Sequence, residues 1–291
     1  MSGEQREKEL RKFIERMPSL STTVTKVLEI CNRPDTSPND LNRVISLDPV
    51  LTGQVLKLIN SAYYSLPNQI GSLTRAIIML GINTVKNLAL STAVLGSLGR
   101  EDSFHSLEMD AFWTHSLGVG VTAKALASRQ GIAKRQREEY FVAGLLHDLG
   151  KIPLDTCLPG EYARVLQLAA SGVPLERAEA EVLGLDHAQV GRMIGEKWQL
   201  NPGLIELLAG HHRLDPAGAA GDPLTATIAI ADTFVNLRQL GSAGNLYPDR
   251  QLSKELARQW GLRRRDLEAL VPEVEEEIAR AKVFLAVARE A

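Results

Sequence analysis

Residues 141–151 read FVAGLLHDLGK. The apolar run Phe141–Leu146 predicts a helix that delivers an adjacent His147–Asp148 pair at its C-terminal end. Gly150 is the expected stop, since glycine enters a left-handed cap without steric cost. An unpaired carboxylate at the end of so apolar a helix costs several kcal/mol of desolvation, on the order of 3 or more. A cation beside it removes that cost, which raises the question of what else could hold the ion.

The chain has six histidines. Five of them, His115, His147, His187, His211 and His212, fall at helix ends or on otherwise apolar faces, as do Asp148 and Asp232. In AFWTHSLGVGVTAKALA, His115 shares a stripe with Phe112, Val119, Thr122 and Leu126 at steps of three and four. In DHAQVGRMIGEKWQL, Asp186 is the expected N-cap, and His187 lines up with Val190, Gly191, Ile194 and Trp198. NPGLIELLAGHH ends in His211–His212, and PLTATIAIADTFVNLRQL sets Asp232 beside Leu224, Ile228 and Val235. Taken singly, each histidine reads as a core residue with one hydrogen-bond partner, and Asp232 as an acceptor of backbone or hydroxyl bonds. Taken together they would need many independent polar partners, and one metal cluster satisfies them all. A mixed His/Asp set suits one or two first-row divalent ions, with Fe, Mn, Zn or Co ahead of Ca or Mg. Side chains at adjacent helix positions point about 100° apart, so His147 and Asp148 reach one ion, or two through a bridging carboxylate. His105, in a polar linker, is given no metal role.

Helical spacing recurs throughout, and strand-type alternation is never sustained. The expected fold is all-α, with two packed helical lobes and the metal site in the second. Residues 1–100 form the first lobe, 101–245 the second, and 246–291 a C-terminal helical tail with a solvated face. GREDSFHSLEMD, Gly99 to Asp110, is the passage between lobes, its last residues open to joining the next helix. KIPLDTCLPGEY, Lys151 to Tyr162, reads as a loop, followed by helices in YARVLQLAASG and PLERAEAEVLG.

Hydrophobic residues make up 44% of the 291-residue chain and charged residues 23%, an ordinary globular balance. A net charge of −2 draws neither nucleic acid nor an anionic membrane. Lys26, Arg33, Arg43, Lys57, Arg75 and Lys86 are scattered rather than banded, which argues against nucleic-acid binding. Cys31 and Cys157 match no metal or redox spacing and read as thiols in a reducing compartment. The charged N-terminus resembles no secretory signal, and no apolar run has the length of a membrane span. A cytoplasmic location is expected by elimination.

HDLGK after an apolar helix, with FWTHS before it and DHAQVG, HH and ADTF after it, resembles the HD superfamily of metal-dependent phosphohydrolases. MPSLSTTVTKVLEI, ISLDPVLTGQVLKLINSAYYS and SLTRAIIMLGINTVKNLAL are similar to the HDOD domain, the HD-related output domain of bacterial signalling proteins. The likeness runs from about residue 15 to about residue 240. It implies an HD-type second lobe in which His115, His147, Asp148 and Asp232 hold one ion. Asp148 would bridge to a second ion held by His187, His211 and His212. Fe or Mn is the implied metal, with Zn, Co and Ni compatible. Lys151 matches a lysine that contacts substrate phosphate in related cyclic-dinucleotide phosphodiesterases. Many HDOD domains have lost several ligands and act without catalysis, whereas here every ligand position is filled. The phosphodiesterase pattern is nonetheless broken, because Arg213 follows the double histidine and LDPAGAAGDP carries no tyrosine. Two functions are therefore expected. One is a regulatory module that binds metal, a signalling protein partner and a phosphate or nucleotide ligand. The other is a phosphomonoesterase or phosphodiesterase in which Asp148 and Lys151 serve a metal-activated water.

Overall fold

The computed structural model describes residues 3–33, 35–99, 101–214 and 222–289, and every regular element among them is helical. Six helices come first: α1 Gly3–Arg16, α2 Thr22–Cys31, α3 Pro38–Ile45, α4 Pro49–Ile59, α5 Leu73–Leu80 and α6 Ile82–Leu98. Their starts are set by short polar caps. Ser21, Ser37, Asp48 and Ser72 each accept a backbone N–H from the first turn of α2, α3, α4 and α5 respectively. The polar turn around Ser37 becomes a capping box, with Asp40 reaching back to the Ser37 N–H. Helix α6 is largely buried and packs against α2, α4 and α5.

Helix α7, Met109–Arg129, follows, and then α8, Arg137–Leu146. The two cross with their backbones nearly touching: a Cβ on Gly144 would lie 2.6 Å from the Gly120 Cα. Only glycine permits that approach, and it brings the ends carrying His115 and His147 together. The passage before α7 is anchored rather than loose. The buried Asp155 carboxylate accepts the backbone N–H groups of His105, Ser106 and Leu107. The His105 side chain itself is exposed.

Two expectations about the HDLGK stretch are corrected. Gly150 is not a left-handed stop: its backbone is right-handed (φ −64, ψ −20) and the chain turns straight into α9, Lys151–Cys157. Glycine is required there because a Cβ would collide with the His187 carbonyl. The segment read as a loop is likewise mostly helical, comprising α9 and the start of α10, Pro159–Ala170. Its prolines fall in the first turn of each helix, where no intrahelical N–H bond is lost.

Helix α11, Leu175–Leu183, ends at Gly184 in the left-handed conformation (φ 86). Helix α12, His187–Lys197, opens with the expected Asp186 cap, completed by Gln189 as a capping box. Helix α13, Pro202–Gly210, is capped by Asn201 and ends at the double histidine. Residues 215–221, most of the LDPAGAAGDP stretch, lie outside the described residues. Helix α14, Pro223–Arg238, runs along α7, and Gly118 gives Val235 room to pack. Helices α15 Arg250–Gln259, α16 Arg264–Glu268, α17 Val271–Ala281 and α18 Val283–Arg289 close the chain. The apolar faces of the last two are buried: α17 packs on α7, and α18 on α4 and α6. The two cysteines are free thiols.

Candidate metal centre

His115, His147, Asp148, His187, His211 and Asp232 are all buried, and His212 is partly so. They come from α7, the α8–α9 turn, the first residue of α12, the end of α13 and the middle of α14. Asp148 stands at the centre. Its Oδ2 faces His147 Nε2 at 3.2 Å and His115 Nε2 at 3.5 Å. Its Oδ1 faces His187 Nε2 at 3.4 Å and His211 Nε2 at 3.9 Å. Asp232 joins the first group, its Oδ1 lying 3.1 Å from His115 Nε2 and 3.6 Å from His147 Nε2. His212 joins the second, 3.0 Å from His187 by their Nε2 atoms.

The imidazoles are held from behind. His147 Nδ1 lies 2.7 Å from the Gly144 carbonyl, so the N–H is donated there and Nε2 is turned inward. His211 Nδ1 sits 3.2 Å from the carbonyls of Leu207 and Leu208. His187 donates Nδ1–H to Glu179, at 2.5 Å, and its backbone N–H to the same oxygen. Glu179 is fully buried and also accepts the Tyr162 hydroxyl at 3.0 Å. Asn236 donates to Asp232 at 2.7 Å. Sequence reasoning missed Glu179 and Asn236 as supports. The signal for Glu179 was present: it lies four residues from both Leu175 and Leu183, on the buried stripe of α11.

This donor set fits divalent transition metal. Within each group, Asp148–His187–His211–His212 and His115–His147–Asp148, one ligand atom per residue lies within 4.8 Å of all the others. Ligands bound tetrahedrally at about 2.1 Å would sit about 3.4 Å apart, close to the separations above. Protein groups alone leave the cluster unsatisfied. Both ring nitrogens of His115, His147 Nε2 and Asp148 Oδ1 are buried without a hydrogen-bond partner.

The electrostatics point the same way. Burial raises the pKa values of Asp148 and Asp232, but the surrounding histidines, with Lys151 beside Asp148, hold both carboxylates well below their usual range. Burial pulls His147 down, yet Asp148 and Asp232 outweigh it and push it up to about 10. His187 is likewise raised, by Glu179 against its burial. Burial and neighbouring imidazoles drive His211 well down and His212 to about 3. Lys151 is only 1% exposed, its ammonium 2.6 Å from Asp148 Oδ2. Arg213 forms an ion pair with Asp186, tying the double-histidine turn to the start of α12. A cavity of about 150 Å³ opens onto the cluster, lined by His211, His212, Asp232, Arg177, Asn245 and Ser253.

A sequence profile of the HDOD domain matches residues 17–214. This chain belongs to the HDOD domain family. Among solved structures, an HDOD domain protein of unknown function from Geobacter sulfurreducens is 27% identical, with 97% of this chain and 98% of that one covered and a TM-score of 0.72. A candidate phosphohydrolase from Shewanella amazonensis shares the fold at 22% identity, TM-score 0.70 and 97% coverage of both chains. So does a candidate signal transduction protein from Marinobacter aquaeolei, at 19% identity and TM-score 0.69, with 98% of this chain and 65% of that one covered. An uncharacterized protein of Treponema pallidum is 25% identical over 223 residues, which span 76% of this HDOD protein and 42% of that relative.

Proposed function

We propose that this HDOD protein is a regulatory signalling module built round a two-ion His/Asp centre. The observation that carries the reading is the division of Asp148: one oxygen faces His115 and His147, the other His187 and His211. A carboxylate so placed would serve two ions, one held with His115, His147 and Asp232 and the other with His187, His211 and His212. Fe or Mn is the proposed metal, and the cytoplasm the proposed setting.

Ions of this class act, once bound, as Lewis acids and lower the pKa of a bound water. The chain's own groups do the positioning. Gly144 and Glu179 aim His147 and His187 inward through their Nδ1 atoms, and Lys151 balances the charge on Asp148. A change at the centre would move α12 through His187. That helix ends at Trp198, whose indole N–H bonds to the Pro18 carbonyl just before α2, so the N-terminal helices would present the change to a signalling protein partner. Lys151, the residue matched to a phosphate contact, is spent on Asp148, which supports regulation over turnover.

Phosphohydrolysis is the second reading. It is favoured by the cavity of about 150 Å³ that reaches His211, His212 and Asp232, with Arg177 on its wall. That space suits a phosphate group with a small organic part. Protein purified without chelator, analysed for metals and assayed on phosphomonoesters and phosphodiesters, separates the two. Regulation predicts about two transition-metal ions per chain and no turnover. Turnover abolished by Asp148→Ala would establish the hydrolase instead. Absence of bound transition metal would sink both readings.

A further inference from the structure

A second cavity, of about 480 Å³, lies away from the metal centre, between the segment after α4, the end of α5 and start of α6, the C-terminal half of α7, the segment leading into the start of α8, and the face of α17. Its size is that of an organic-ligand pocket, roughly 300–1,000 Å³. One wall is apolar, built from Tyr64, Leu66, Leu80, Val121 and Ala125. Beneath it lies a satisfied polar node. Lys124 Nζ is 2.8 Å from Glu138 and 2.9 Å from the Tyr63 hydroxyl, and the Tyr64 hydroxyl donates to Glu138 at 2.7 Å. That node fixes the shape of the floor, because each of its charges is already paired.

The charge around the cavity does not cancel. Its three acids are each matched by a cation: Glu138 by Lys124, Glu273 by Arg129 at 3.8 Å and Glu277 by Arg280 at 2.8 Å. Its remaining cations are not. Lys134 and Arg135 form no ion pair among the described residues, and Arg137 spends only its Nε, on the Ile132 carbonyl. Three guanidinium or ammonium groups within four residues thus border an apolar wall, and none of them is ion-paired among the described residues. Clustered cations recognise phosphate oxygens, and an aromatic and aliphatic wall recognises a flat apolar body.

We propose that this cavity binds an organic phosphate with an aromatic body, of mononucleotide size. The phosphate meets Lys134, Arg135 and Arg137, and the base packs against Tyr64 and Leu80. The cavity stands on the helices that carry the metal cluster. Lys124 follows His115 by nine residues on α7, and Glu138 precedes His147 by nine along α8, about 14 Å in each case. The binding site does not depend on the metal reading.

Isothermal titration of the full chain with AMP and GMP, and with inorganic phosphate alone, tests this. Saturable nucleotide binding is expected, with phosphate at least about tenfold weaker. The charge reversal Lys134→Glu with Arg135→Glu, both on exposed residues, is expected to weaken the nucleotide by about tenfold or more at unchanged melting temperature. Ala125→Trp, which fills the cavity, is expected to abolish binding, whereas His212→Ala at the metal centre leaves it intact. The proposal is overturned if neither nucleotide binds below about 1 mM. It is equally overturned if the charge reversal has no effect, if phosphate binds as well as the nucleotides, or if His212→Ala is the variant that removes binding.

Discussion

Glu179 shows how much of the centre rests on residues that would touch no ion. It accepts two hydrogen bonds from His187 and one from Tyr162 while fully buried. Removing a partner that orients a metal-ligating histidine typically costs 10–100-fold in metal affinity, so about that loss is expected for Glu179→Gln. Competition with a chromophoric chelator measures it. Tyr162→Phe, which leaves the bonds to His187 in place, should stay within a few-fold of wild type. The histidines also set a pH dependence for the chelated protein. His147 and His187 are raised, so their stabilisation is complete below the ordinary histidine value of 6.5 and is lost as pH climbs, for His147 through about 10. His211 and His212 are lowered, so theirs is complete above 6.5 and is lost as pH falls, for His212 toward about 3. Asp148 and Asp232, held below 3.8, add to the acid-side loss. Thermal melts in chelator across pH should therefore peak near pH 6.5 and fall on both sides. A plateau from pH 5 to 9 would contradict this account.

Glycine contacts between helices hold the site together at the scale of elements. Gly120 and Gly144 bring α7 and α8 to backbone contact, and Gly150 lets the α8–α9 turn meet the first residue of α12. Alanine at Gly144 would put its Cβ 2.6 Å from the Gly120 Cα, where neither backbone can yield cheaply. Overpacking of this kind costs typically 1–3 kcal/mol and occasionally more, and Gly144→Ala is expected at the upper end, about 3 kcal/mol. A Cβ added at Gly160, near the start of α10, would meet nothing within 4 Å, so the alanine variant there should be neutral or slightly stabilising. Denaturant melts of the two variants check the contrast. The same kind of contact explains why the stop expected at Gly150 is absent. A glycine after an apolar helix is usually a cap, and only the neighbouring helix shows that this one makes room for a carbonyl.

Over the whole molecule, the buried apolar residues form one connected cluster that includes both the N-terminal helices and α17–α18. Phe284 on α18 illustrates the join. Its ring lies tilted at 4.9 Å from Phe141 of α8 and edge-on at 5.2 Å against Tyr63, after α4. It lies beyond residues 17–214, the part matched by the HDOD profile. Phe284→Ala is expected to destabilise the protein by about 3–5 kcal/mol. Followed by circular dichroism and by tryptophan fluorescence, it should lower both melts together, since the core it perturbs is shared. Metal removal acts at the same scale. Ions bound at the proposed centre would stabilise the folded chain by mass action, so chelation should lower the melting temperature and restoring the proposed Fe or Mn should recover it.

The residue pattern alone determined the helical class and the seven His/Asp candidates. These depend on local rules: a 3.6-residue period, a side-chain oxygen at a cap, and polar groups too costly to bury unpartnered. The cap at Asp186 was legible because it acts within one turn of its own position. What no local rule carries was decided by tertiary structure. The two oxygens of Asp148 face different histidine groups only because α7, α12, α13 and α14 converge on one turn. Lys151 faces Asp148 rather than the cavity, and Glu179 supports a histidine eight residues away across a change of helix. Such roles depend on which faces meet, and that is a property of packing between segments distant in the chain.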